Sequence, residues 1–179
     1  MNDNKNMDNT TTKNTLSPYS SIFFHKLSNY LDTKLYYFGS VQRYDYFPNS
    51  SDIDLDIFTD NESSTITKLQ SFIKLERWQF KKVIYHLGDK LIHGYKMNYQ
   101  EPDKYLFVEI SIYNERDKEI ILHEHIYKIN LPHYVSFILI LLKMMYYNVP
   151  ILPKNIYKYL KYGLMNIYSD KHRQFLVIS

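Results

Sequence analysis

The sequence predicts an α+β fold, a mixed sheet with flanking helices and a helical C-terminal segment. Three observations carry that prediction. Ser51-Asp52-Ile53-Asp54-Leu55-Asp56-Ile57 alternates strictly between polar and apolar residues, the period of a strand that buries one face. Helical spacing recurs on either side of it, first at Ile22, Phe23, Leu27 and Leu31 and then at Ile66, Leu69, Phe72 and Ile73. Finally, strand, helix and strand in succession favour a crossover, whereas Trp78–Leu87 and Lys90–Tyr99, joined by Gly88-Asp89, read as a hairpin. Parallel and antiparallel pairings are therefore both expected.

The elements follow in order. Ser17-Pro18 supplies an N-cap and a first-turn proline for a helix over Pro18–Asp32. Lys34–Phe38 is a short strand ended by Gly39-Ser40, and Asp52–Phe58 is the second strand. Asp60-Asn61-Glu62-Ser63 is a turn and cap before a helix over Ser63–Leu75. The hairpin follows, then a turn at Gln100-Glu101-Pro102-Asp103 and a strand over Lys104–Tyr113. Pro132 opens a helix to Tyr147 that is apolar nearly all round, so it is expected to lie buried between the sheet and another element. After the break at Val149–Pro153, a last helix, Lys154–Tyr168, is expected to bury Ile156, Tyr159, Leu160, Leu164 and Ile167. Its Lys154, Lys158 and Lys161 share the opposite face. They are either the solvated side of an amphipathic helix or, with Tyr157, Lys171 and Arg173, a basic-aromatic patch for nucleic acid. The domain reading is a disordered tail over residues 1–17, a core over 18–130, and a helical segment over 131–179 packed on that core.

Composition bounds the chemistry. At 179 residues and 45% hydrophobic content the chain suits one domain with a sizeable core. A formal net charge of +3 is too balanced to argue for nucleic acid by itself. With no Cys there is no disulfide, thiolate nucleophile or zinc–thiolate site. The polar N-terminus lacks the apolar stretch of a signal peptide. The longest apolar run, Tyr134 to Leu142, is stopped by Lys143, short of the ~18 residues of a membrane span. An intracellular protein without membrane attachment is expected.

The alternating strand is the informative stretch. It sends Ile53, Leu55 and Ile57 to one face and Asp52, Asp54 and Asp56 to the other. A row of carboxylates beside a buried face is costly unless a cation sits there. Hard oxygen ligands without Cys or an obligatory His favour Mg²⁺ or Mn²⁺ over zinc. Gly39 lets backbone approach closely, and free N–H groups and a Ser40 hydroxyl after it suit an anion.

This conjunction resembles the signature of the DNA polymerase β-like nucleotidyltransferase superfamily: Gly-Ser after a strand, a spacer, then Asp-apolar-Asp-apolar on the next strand. Gly39-Ser40, Val41 to Ser51, and Asp52-Ile53-Asp54-Leu55 supply the three parts, and Arg43 and Pro48 match small stand-alone members. Tyr44 stands where many such members have Gly, and the spacer is slightly longer than usual. The resemblance implies a polymerase β palm-like sheet, an NTP substrate and two Mg²⁺ (or Mn²⁺) ions on Asp52 and Asp54. Gly39, Ser40, Arg43 and Ser51 are the implied nucleotide-binding residues. It further implies transfer of a nucleoside monophosphate to a hydroxyl acceptor; across the superfamily acceptors include nucleic-acid ends, proteins and small molecules. The alternative is a degenerate member that binds nucleotide, nucleic acid or protein without turnover.

Members commonly place a third carboxylate on a later strand. Glu109, an acid within the apolar run of Lys104–Tyr113, is the best-placed candidate for catalysis and metal binding, against the alternative of a solvent-facing acid. Asp56 shares the face of Asp52 but lies ~13 Å from it along the strand, too far for metals ~4 Å apart to engage all three aspartates easily, so it reads as an outer or surface acid. His123-Glu124-His125 has neither the spacing of a zinc-protease helix nor an evident third ligand, and reads as polar positions in a loop or edge strand.

Overall fold

The computed structural model describes residues 9–87, 89–149, 151–168 and 175–178. In chain order the elements are α1 (Pro18–Leu31), β1 (Tyr36–Phe38), β2 (Ile53–Thr59), α2 (Glu62–Ile73), β3 (Lys81–Leu87), β4 (Lys90–Glu101), β5 (Leu106–Asn114), α3 (Lys118–Ile129), α4 (His133–Tyr147), α5 (Lys154–Tyr168) and β6 (Phe175–Ile178). The strands form a sheet in the order β1-β2-β5-β4-β3-β6. β2 and β5 run parallel and the other neighbours antiparallel. The α+β class and the mixed sheet are as the sequence predicts.

Local chemistry sets the element ends. Ser17 caps α1 by accepting from the Ser20 N–H, and Asp32 closes the helix in the left-handed region at φ 53°. Asn61 caps α2 by accepting from the Ser64 N–H. These two helices cover one face of the sheet. Leu27, Ile66 and Leu69 meet Leu55, Ile57, Ile110 and Ile112 there, all of them fully buried. Each such side chain contributes roughly 1.5–3 kcal/mol on leaving water. The opposite face carries the acids and is only partly covered, by α3, whose Ile121 packs with Phe58, Ile92 and Tyr113.

Several expectations are corrected. Residues 9–17 do not form a free tail: the Tyr37 N–H donates to the Asn9 carbonyl at 2.6 Å, and Asn9 is buried. His123-Glu124-His125 lies on helix α3, where the 3.6-residue repeat turns Ile121, His125 and Ile129 inward, rather than in a loop or edge strand. Arg77–Gln79 is a short 3-10 turn, so β3 starts later than Trp78, which is 76% exposed. Helix α4 buries Val135, Ser136, Leu139 and Lys143 but leaves Phe137 and Leu141 exposed. Its main neighbour is α5, through Tyr146 stacked on Tyr157 at 4.4 Å, and no described element covers its far side. Of the stripe expected to bury α5, Ile156, Tyr159, Leu160 and Ile167 are exposed; Tyr157 is the buried contact instead. Lys171 and Arg173 lie outside the described residues. Among the described residues no single helix is long and apolar enough to cross a membrane.

Candidate active site

The site is built where β1 ends against β2. Phe38 pairs with Asp54 in the antiparallel ladder, and Gly39 follows at φ +69°. A Cβ built on Gly39 would collide with the Asp54 carboxylate, so only glycine permits this approach. Ser40 is buried within the 3-10 turn Gly39–Gln42. The N-terminal segment clamps that turn. Asn14 Nδ2 donates to the carbonyls of Val41 at 2.8 Å and Arg43 at 2.7 Å. Gln42 Nε2 donates to the Thr11 carbonyl at 2.5 Å, while the Lys13 N–H donates to Gln42 Oε1 at 2.9 Å.

Parallel pairing of β2 with β5 puts Asp54 directly beside Glu109. Asp52, just before β2 on the same face, is exposed and Asp54 is half-buried. Burial first, then the charges of Glu109 and Asp52, push the Asp54 carboxyl up to about 7; Lys161 and Lys96 act the other way. Lys96 of β4 pairs with Glu109 at 2.5 Å. Burial alone would lower the Lys96 pKa, but Glu109, with Tyr85 and Asp54, outweighs it and raises the value. Lys161 of α5 is half-buried, and its charge favours ionised Asp54.

Asp56 is fully buried, and His125 Nε2 lies 2.6 Å from its Oδ2. It is thus an interior acid with its own partner, not a surface one. Among the described residues no three His, Asp or Glu side chains converge tightly enough to hold an ion as they stand. The donor chemistry still fits a hard divalent cation: Asp52, Asp54 and Glu109 offer only carboxylate oxygens, and their mutual repulsion is what such an ion relieves.

The loop between Gly39 and Asp52 is anchored from below by buried charge. Arg43, 5% exposed, donates from Nε and Nη2 to the two Asp45 carboxylate oxygens at 2.7 and 3.0 Å. Lys143 of α4 reaches Asp45 Oδ2 at 3.1 Å, the Asp45 carbonyl at 2.6 Å and Ser51 Oγ at 3.2 Å. Burial would raise the Asp45 pKa, but Arg43 and Lys143 outweigh it and lower the value; burial pushes Lys143 down to about 8. Arg43 and Ser51, expected at the nucleotide, are here engaged with the protein. Ser51 also accepts from the Phe47 N–H at 3.1 Å.

A family model described as a nucleotidyltransferase domain matches residues 22–162. The chain belongs to this nucleotidyltransferase family. Two solved structures are similar to it. Cid1, an RNA terminal uridylyl transferase, is 16% identical with a TM-score of 0.40, the match covering 72% of this chain and 41% of that one. The GLD-2/RNP-8 complex gives 17% identity and a TM-score of 0.34 over 84% of this chain and 64% of that one. The chain thus spans less than two thirds of either. No curated protein sequence matches it.

Four residues around this nucleotidyltransferase corner escape the sequence reading. Lys143 carried a signal, a lone charge on an apolar helix face. His125 carried a weaker one, spaced as Ile121 and Ile129 are on a helix. Asp45 sits in irregular chain where no periodicity speaks, and helical spacing offers Lys161 as part of a solvated face or a nucleic-acid patch, not as a charge acting on Asp54.

Proposed function

We propose that this nucleotidyltransferase moves a nucleoside monophosphate from an NTP to a hydroxyl acceptor. The observation that carries the reading is the register of Asp54 beside Glu109, with Gly39 pressed against Asp54. In this reading Asp52, Asp54 and Glu109 would hold divalent magnesium or manganese, Glu109 then no longer paired with Lys96. Bound there, the ions would supply Lewis-acid polarisation and charge neutralisation in a two-metal manner. Gly39 and Ser40 receive phosphate oxygens, the glycine by admitting close backbone approach. Arg43 serves as a clamp on the loop through Asp45, not as a direct triphosphate ligand. Lys161 supplies positive charge to the phosphates. The acceptor oxygen bonds the α-phosphorus, the bond to pyrophosphate breaks, and Glu109 takes the hydroxyl proton. Nucleic-acid ends and proteins are the acceptors to try first.

The test is incubation of the protein with labelled NTPs, Mg²⁺ or Mn²⁺ and acceptors, beside Asp52→Ala and Asp54→Ala. Transfer by the wild type that both substitutions abolish in folded protein supports the reading; full activity of Asp54→Ala ends it. The Lys96–Glu109 pair favours a second reading, a binding module without turnover. Tight Mg²⁺–NTP binding with no transfer to any acceptor would select it.

A further inference from the structure

One side chain outside the carboxylate row touches both walls of the corner. The His125 ring stacks on Phe38 with centroids 4.1 Å apart and planes 9° apart. Its Nε2 lies 2.6 Å from Asp56 Oδ2, with the carboxylate oxygen as acceptor and the imidazole N–H as donor in this pair. Phe38 precedes Gly39 and pairs with Asp54 across the ladder; Asp56 follows Asp54 by two residues on the same strand. A single residue of α3 therefore grips β1 where the phosphate turn begins and β2 where the metal-binding aspartates lie.

The pair is costly as a purely stabilising device. Asp56 and His125 are both buried, yet Asp56 Oδ1 and His125 Nδ1 have no hydrogen-bond partner. Each such orphaned atom forfeits the hydrogen bonds it would make to water in the unfolded chain. An apolar pair of similar volume would fill the same space without that loss. What it would not supply is a directional contact that sets the height of β2 against β1.

We propose that His125 and Asp56 are positioning residues for nucleotidyl transfer. Together with the Phe38 stack they fix the spacing between the Gly39–Gln42 turn and Asp54. The catalytic consequence rests on the functional reading above; the mechanical one does not. Misplacing reacting groups by about 1 Å costs on the order of a hundredfold in rate, so the effect belongs in kcat, with the NTP KM little changed.

The test uses the full chain with His125→Phe, which keeps a ring against Phe38 but loses the donor, and His125→Gln, which keeps a donor but loses the ring. Two readouts are taken on folded protein: steady-state kcat and KM for NTP, and hydrogen exchange of the backbone over residues 38–43. The expected result is a roughly tenfold to hundredfold fall in kcat for His125→Phe, a smaller fall for His125→Gln, and faster exchange confined to the turn in both. Asp56→Asn, which keeps an acceptor for the imidazole N–H, should retain most of the wild-type exchange protection. Unchanged kcat and unchanged exchange in both His125 variants would overturn the proposal. If the wild type transfers no label, the functional reading fails by itself. Exchange over residues 38–43 then decides whether the pair holds the corner.

Discussion

The backbone of Gly39 lies so close to the Asp54 carboxylate that no side chain fits between them. The contact joins the end of β1 to the acid that lies beside Glu109 across the sheet, so a shift of the Gly39 turn is felt at the carboxylates. Gly39→Ala should break both. The left-handed φ of +69° alone costs an L-residue about 1–2 kcal/mol, and the collision must also displace Asp54. The expected outcome is a destabilised but folded protein, read by urea melts, with transfer lost. Wild-type activity in Gly39→Ala would mean that Asp54 tolerates displacement and does not work from this position.

Asp54 is the strained member of the site. Its folded-state pKa lies at about 7, above the ordinary carboxylate value. A raised carboxylate pKa contributes stability that is full below about pH 4 and is lost as pH rises through 7. At pH 8 the ionised side chain therefore opposes folding. Asp54→Asn should be more stable than wild type there by about 2 kcal/mol, and the difference should vanish near pH 4. Mg²⁺ should raise the wild-type melting temperature and leave that of Asp54→Asn unmoved. A variant less stable than wild type at pH 8 would show that the acids do not repel one another as described.

Much of this arrangement was legible in the residues, and what was not has a physical cause. Ile53, Leu55 and Ile57 identify β2 because the sheet buries one face, and Gly39 identifies the corner because a positive φ excludes most residues. Glu109 was visible as an acid in an apolar strand, but its adjacency to Asp54 needs the parallel register, which no local pattern encodes. The exposed flank of α4 was misjudged because periodicity reports an apolar face without saying what arrives to cover it. Arg43 matched its motif position yet bonds Asp45, since a buried guanidinium takes the nearest carboxylate. Residues 9–17 look featureless because their hold on the turn runs through Asn and Gln side chains and bare backbone, which leave no hydrophobic signal.

Lys143 makes the loop anchor sensitive to alkaline pH. Burial depresses its pKa to about 8, against 10.5 ordinarily. Between these values the unfolded chain binds more protons than the folded one, so stability rises with pH across that window and the gain is lost as pH falls through 8. Lys143→Met carries no such dependence while Asp45 keeps Arg43. From pH 8 to pH 10, wild type should gain about 2 kcal/mol relative to Lys143→Met in urea melts. Buried tyrosines such as Tyr37, raised to about 12, begin to oppose folding only above pH 10. Parallel pH curves for the two proteins would place Lys143 in contact with water rather than beneath the loop.

Lys161 links the C-terminal helix to the chemistry. Lys161 is half-buried, and its charge favours ionised Asp54 and disfavours protonated Lys143. In the proposed reaction a cation there would attract the triphosphate and favour the ionised Asp54 that a metal needs. Lys161→Glu should raise the NTP KM by roughly tenfold or more, the cost of replacing attraction by repulsion near a half-buried acid. It should also move the acid limb of the kcat/KM profile to higher pH, because Asp54 then ionises later. Lys154→Glu, on an exposed part of the same helix, should change KM far less, and its effect should fade by 0.5 M salt as exposed charges are screened. Equal responses from the two substitutions would return Lys161 to the solvated face that helical spacing alone suggests.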